Sequence, residues 1–439
     1  MSPTLAAART HALDLAEFVD ASPSSFHAAA EVARRLRAVG FTEQREGEPW
    51  DASPGGHVLV RDGAAMAWWV PRSAAAGATP ADQQVRVVGC HTDSPTFKLK
   101  PDPSMSAEGW ALAAVEIYGG MLVASWLDRE LGLAGRLVTA DGATHLTRTG
   151  AVMRIPRLAV HLDRESGAAE THHRQNHTAP VLGLGDVDVL ALLARDVDPR
   201  VDPRDVVGHD VVAFDTQPPQ LFGADGDLLA SGRLDNLSSV HAALTAFERL
   251  ASRGDDGAET GGNFVRVLAA FDHEEVGSAT RSGAAGPILA DVLQRTLSAL
   301  GLDEDQRYRV VSRSSCLSAD AGHGVHPNHP ARHDPTHRPR LGGGPLLKIN
   351  AVQRYASDAV GAGLWARACR AAGVPSQAFV SRNDLPCGST IGPITATRLG
   401  LTTVDVGVPL LSMHSARELA HIADLHALSR AVEEYLAGA

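Results

Sequence analysis

Apolar residues recur along the first forty positions with the period of a helix. Leu5, Ala8, Leu13, Leu15 and Phe18 fall on one face of a first helix. A second helix, FHAAAEVARRLRAVG, follows the cap Ser22-Pro23-Ser24 and stops at Gly40. The pattern then shortens to that of strands. HVLV (57–60), AMAWWV (65–70) and VRVVGC (85–90) are brief, and the last is apolar but for Arg86, as expected of a strand buried on both faces of a sheet. Between residues 98 and 229 helical periodicity thins to one segment, DVDVLALLARD (186–196), and strand-like runs alternate with Gly, Pro and Asp. That stretch reads as an inserted, mainly β domain. After Ser231-Gly232 the two periods alternate again. The spacing predicts helices over 235–250, 287–299, 357–372 and 417–437, with strands over 263–272, 312–320, 346–350 and 402–407. Alternation of this kind argues for a parallel-type sheet covered by helices on both faces, built from two separated stretches of chain.

Composition narrows the function. In 439 residues, 51 Asp and Glu outnumber 40 Lys and Arg, so the net charge is −11 at neutral pH. The basic footprint of a nucleic-acid binder is missing. No apolar run approaches the roughly 18 residues of a membrane-spanning helix. Arg9, Asp14 and Glu17 interrupt the N-terminal stretch where a signal peptide would have its apolar centre. Four cysteines without CxxC spacing are too few for a disulfide scaffold. The expectation is a cytoplasmic globular protein that binds neither nucleic acid nor membrane.

The chemistry gathers where apolar strands end. VVGC runs into His91-Thr92-Asp93, VLAAF into Asp272-His273-Glu274-Glu275, and SCLSA into Asp320. In a doubly wound sheet the carboxyl ends of strands line one crevice, so segments distant in sequence can converge there. Imidazole and carboxylate donors suit a divalent transition metal, zinc first, with cobalt and manganese able to use the same set. Taken singly, each residue has a plainer reading. Asp235 could cap the following helix, Asp320 could cap a turn, His414 could be a buried core histidine, and Glu274-Glu275 could be a solvated pair. Adjacent carboxylates also suit a metallohydrolase, one holding metal while its neighbour serves as a general base.

Six ordered blocks carry more than any single residue. GCHTDSPTFKLKP (89–101), SGRLDN (231–236), DHEEVGS (272–278), SADAGHGVHPN (318–328), RNDLPCGSTIGP (382–393) and LSMHSARE (411–418) span nearly the whole chain. In this set the sequence resembles the aspartyl aminopeptidase family of cytosolic zinc exopeptidases. The resemblance implies a zinc-exopeptidase-like α/β fold with a mixed sheet flanked by helices. It divides the chain into a catalytic domain from residues 1–97 and 230–439, interrupted by a dimerisation domain at 98–229. It further implies a homo-oligomer, a tetrahedral dodecamer built from dimers, acting on short peptides with acidic N-termini.

Carried onto this sequence, the family pattern assigns two metal ions per subunit. His91 and Asp320 would hold one, Glu275 and His414 the other, with Asp235 bridging. Glu274 would be the general base, and Asp93 would hydrogen-bond the far nitrogen of His91. Lys348 would pair with the acidic side chain of the substrate, with His323 contacting substrate; Tyr355, in QRYAS, reads either as positioning substrate or as packing. His161, from the inserted domain, would reach the active site of the dimer partner. A buried, inert thiol is the reading for Cys90, and the His-rich stretch 323–345 reads as a loop beside the site. Two other functions stay open at this point. One is a different co-catalytic metal hydrolase, of the aminoacylase or carboxypeptidase type, and the other is a non-catalytic metal-binding assembly.

Overall fold

The computed structural model describes residues 3–75, 83–162, 173–195, 197, 201–253 and 264–439. Among the described residues, nine strands form one mixed sheet. In spatial order they are Thr42–Glu43, Gly55–Arg61, Ala64–Val70, Phe264–Phe271, Gln84–His91, Ser315–Ala319, Thr402–Gly407, Leu346–Ile349 and Gln377–Val380. The four central strands, from Phe264–Phe271 to Thr402–Gly407, run parallel. Antiparallel pairing enters on both sides of them, through the hairpin turning at Asp62-Gly63 and the Leu346–Ile349 strand.

Alternation along the central strands sorts their side chains between two apolar layers, because successive residues of a strand point to opposite faces. Val88, Cys90, Leu268, Ala270, Leu317 and Val404 face the helices Pro3–Ala21, Ser25–Ala38, Leu234–Arg253, Ala359–Ala372 and Ile422–Ala437. Val85, Val87, Val267, Ala269 and Cys316 face the opposite layer, which includes Ile288–Ala299 and Ile391–Leu399. The central sheet is thus covered on both faces, as the largely apolar run VRVVGC required. Six further strands, all antiparallel, form a second sheet drawn wholly from residues 96–215. It has its own apolar cluster, including Phe97, Leu133 and Val211, and packs the helix Val189–Arg195.

Local departures from the sequence reading have physical causes. The first helix buries Ala8, Ala12, Leu15, Phe18 and Val19, while Leu13 is 48% exposed. The true stripe runs through alanines that the larger Leu13 masked. Glu304–Ser312 is a helix where only a loop and strand were expected; it buries a single residue, Val310, and rests on an Asp303–Gln306 capping box. The terminal helix starts at Ile422 instead of 417, because Glu418–His421 pairs as a strand with Leu228–Ser231. Ile391–Leu399 was also missed. Its Gly392 and Pro393 weaken any helical signal, and Thr390 caps it through Gly392 N–H.

Candidate active site

Parallel register brings the first candidates together. Phe271 pairs with His91 and Ser318 with Gly89, so the strands carrying His91, Asp272 and Asp320 end side by side. Gly407 makes this possible for Asp320, since a Cβ there would lie 1.7 Å from the Asp320 carbonyl oxygen. Asp235 enters from a non-helical turn at the start of Leu234–Arg253. Ser94 donates to its carbonyl at 2.7 Å, and Asn236 ties the same turn to Ala319 O at 2.8 Å. His414 arrives on the loop that precedes Glu418–His421.

Asp235 stands at the centre of the arrangement. Its Oδ1 lies 3.4 Å from His91 Nε2, and its Oδ2 lies 3.3 Å from His414 Nε2. Asp320 Oδ1 is 3.4 Å from the same His91 nitrogen, and Glu275 Oε1 is 3.5 Å from the same His414 nitrogen. These separations are longer than ordinary N–H···O bonds. They match the donor–donor spacing of about 3.3–3.4 Å expected around a tetrahedral zinc with bonds of about 2.0–2.1 Å. Asp235 Oδ1 and Glu275 Oε1 are buried with no hydrogen-bond partner, which a native interior rarely tolerates without an ion or water. Two donor triads result, His91–Asp235–Asp320 and Asp235–Glu275–His414, and a third grouping joins His91, Glu274 and Glu275. The donor set therefore fits zinc. Among the described residues all such triads lie here, and His326, His329 and His333 form none.

Electrostatics follow from crowding carboxylates in a dry pocket. Burial, opposed by His91 and reinforced by Asp320, Asp93 and Asp235, pushes Glu274 up to about 7. Burial would lower His414, yet its contacts with Asp235 and Glu275 overcome this and raise it to about 10. Burial would raise Asp235, but the two imidazoles hold it below the usual carboxylate range. For Cys90, burial pushes the thiol up to about 12, so it stays inert.

A model of the aminopeptidase I zinc metalloprotease (M18) family matches residues 18–435. The chain belongs to the M18 aminopeptidase family. A Streptomyces coelicolor protein described as a probable M18 family aminopeptidase 2 is 47% identical over 434 residues, covering 98% of each chain. A chain from the cryo-EM structure of the Ape4 and Nbr1 complex is 32% identical, with a TM-score of 0.93 over 100% of this chain and 87% of that one. The mApe1 dodecamer of S. cerevisiae is 27% identical, with a TM-score of 0.82 over 97% of this chain and 95% of that chain. The protein is a peptidase hydrolase of the zinc aminopeptidase type, and the resemblance read from the six sequence blocks holds. Aminoacylase, carboxypeptidase and non-catalytic readings fall with it. No described helix is long and apolar enough to cross a membrane.

Other candidate residues of this M18 aminopeptidase sit as follows. Asp93 offers His91 Nδ1 its backbone carbonyl at 3.0 Å, with the carboxylate 3.4 Å away. The carboxylate also accepts the amides of Glu274 at 3.0 Å and Glu275 at 3.1 Å, so Asp93 holds the turn bearing both glutamates. Lys348 is 1% exposed, which excludes a surface role; it donates to Asp320 Oδ2 at 3.1 Å and Ala321 O at 3.0 Å. Its ammonium stands 5.2 Å from the Tyr355 ring. His323 lines an adjoining pocket of about 290 Å3 with Phe379, Leu410 and Met413. His161 is exposed within the chain.

One residue of this centre went unremarked in the sequence. Glu418 is 2% exposed, and its two oxygens accept the amides of Asp235 at 2.9 Å and His414 at 2.8 Å. The available signal was a lone carboxylate opening the short apolar strand ELAH, four residues after His414.

Proposed function

We propose that this M18 aminopeptidase removes unblocked N-terminal Asp or Glu from short peptides with a centre of two zinc ions. In this reading His91 and Asp320 serve one ion, Glu275 and His414 the other, and Asp235 both. The observation that carries it is the Asp235 carboxylate, which presents one oxygen to each imidazole at 3.4 and 3.3 Å. Zinc bound there supplies Lewis acidity toward the scissile carbonyl and makes water a better acid. Cobalt or manganese would suit the same donors. Glu274 takes the proton of the attacking water and returns it to the leaving amine, a role its raised pKa of about 7 suits. Asp93 keeps Glu274 and Glu275 in place by accepting both of their amides.

Acidic specificity is supported by Lys348. Two of its three ammonium hydrogens are used on Asp320 and Ala321, which leaves one for a substrate carboxylate entering a pocket that would otherwise penalise its charge. His323 and Tyr355 flank that route. The division into catalytic segments 1–97 and 230–439 around a dimerisation domain at 98–229 is supported by the separate antiparallel sheet of residues 96–215. Likeness to the mApe1 dodecamer favours a homo-oligomer. Leu158, Val160 and Leu162 are 64–75% exposed around His161, a surface that a partner subunit would cover as His161 reaches its site. Four free cysteines favour the cytoplasm.

The test is hydrolysis of Asp-, Glu- and Leu-p-nitroanilide before chelation, after it, and after zinc or cobalt is restored. Metal-dependent cleavage confined to Asp and Glu is expected. Faster cleavage of Leu overturns the acidic pocket, and cleavage that survives chelation overturns the metal centre.

A further inference from the structure

We propose that residues 118–122, at the root of the six-stranded sheet, form a positioning strap that sets the geometry of the metal centre from outside the catalytic sheet. Within five residues the chain touches three groups of the site. Tyr118, the last residue of the strand Trp110–Tyr118, donates its hydroxyl to Asp93 Oδ2 at 2.7 Å. That is the carboxylate on which the amides of Glu274 and Glu275 rest. Gly119 has φ +73°, and a Cβ on it would stand 3.1 Å from Glu275 Cβ and 3.4 Å from Glu275 O. The Gly120 carbonyl accepts from His414 Nδ1 at 3.1 Å, and Leu122 N–H donates to His414 O at 2.9 Å.

The bond to Gly120 matters most. Imidazole binds metal through a nitrogen that carries no proton, and the hydrogen bond made by the other nitrogen decides which one that is. With Nδ1 donating to Gly120 O, Nε2 is the nitrogen turned toward Asp235 and Glu275, and the one that would give up its proton to zinc. Leu122 fixes the backbone of the same residue, so ring and main chain of His414 are held from one short segment. Gly119 lets that segment approach, since any side chain there would push against Glu275. Tyr118 extends the hold to the neighbouring turn through Asp93. The role given to the strap rests on His414 and Glu275 being metal ligands.

The test uses the zinc-loaded, assembled enzyme and three variants, Gly119→Ala, Tyr118→Phe and His414→Ala. Zinc stoichiometry and affinity are read by competition with a chromophoric chelator, alongside kcat, KM and thermal midpoint. Gly119→Ala should weaken one of two zinc equivalents at least tenfold and change the visible spectrum of the cobalt-substituted protein. Tyr118→Phe removes a single oxygen and should lower kcat at least fivefold, with KM within twofold and the thermal midpoint little changed. If Gly119→Ala fails to fold, Tyr118→Phe alone decides. Should His414→Ala lose one equivalent while both strap variants match wild type, the strap is refuted and the ligand reading stands. If His414→Ala keeps both equivalents at full affinity, the ligand reading fails and the strap with it.

Discussion

Replacing Glu418 by glutamine tests whether the backbone around the metal centre is held by one buried carboxylate. The side chain is isosteric, but only one of its two terminal atoms still accepts. Glu418 Oε2 takes the amide of Asp235 at 2.9 Å and Oε1 that of His414 at 2.8 Å. In the glutamine variant one of these amides faces an NH2 group, donor against donor. A hydrogen bond to a charged group contributes about 1.5–3 kcal/mol, and a buried N–H left unpaired costs about 1–3 kcal/mol. The two together come to roughly 2.5–6 kcal/mol. The loss is shared between folding and the placement of Asp235 and His414. Since about 1.4 kcal/mol is a factor of ten, even half of the lower figure on the site weakens zinc binding about eightfold. The assay pairs chelator competition for zinc with urea unfolding of the zinc-free protein. Lower zinc affinity and lower kcat, with KM changed less than threefold, are expected. A folded Glu418→Gln protein with wild-type zinc affinity and kcat would refute the reasoning.

Other outcomes follow from the same geometry. Glu274→Gln should lower kcat by about 10²–10⁴ while zinc content stays at the wild-type level, because only proton transfer is removed; metal analysis of the inactive protein checks this. Lys348→Met removes the buried ammonium paired with Asp320, so it should destabilise the zinc-free fold by about 3–5 kcal/mol and abolish any preference for Asp over Leu substrates. Unfolding midpoints and the p-nitroanilide series read the two effects. His27 should also contribute a loss of stability on acidification from about pH 6.5 to about 4. His27 is pushed down to about 4 by burial and by nearby Arg148 and Arg233, whereas the unfolded chain takes up its proton near 6.5. Above 6.5 both states are neutral and nothing is gained or lost. Between the two values the unfolded state binds the proton alone, at a cost of up to about 3 kcal/mol. His27→Gln should flatten that part of a urea-midpoint against pH curve, and an unchanged slope would show that other groups carry it.

Much of this protein was legible from local pattern. A strand buried on both faces has little choice but to be largely apolar, so VRVVGC, with Arg86 its one charged residue, could be read as central, and the polar residues that follow such strands mark the open end of the sheet. His91, Asp320 and the Glu274-Glu275 pair were visible for that reason. Asp235 and His414 were not visible in the same way, since one resembles a helix cap and the other a core histidine; it took the six-block resemblance to single them out. What no local pattern carried was contact between distant segments. Parallel register places Asp320 beside His91, and Glu418 joins two loops 179 residues apart only because Glu418–His421 pairs with Leu228–Ser231. Tyr118 and Gly120 look like strand-end residues of another sheet until the fold sets them against Asp93 and His414. Hydrophobic period is a property of a short stretch of chain and is written there. Hydrogen bonds that orient a ligand depend on backbone groups, which every residue has, and only the tertiary structure decides which of them meet.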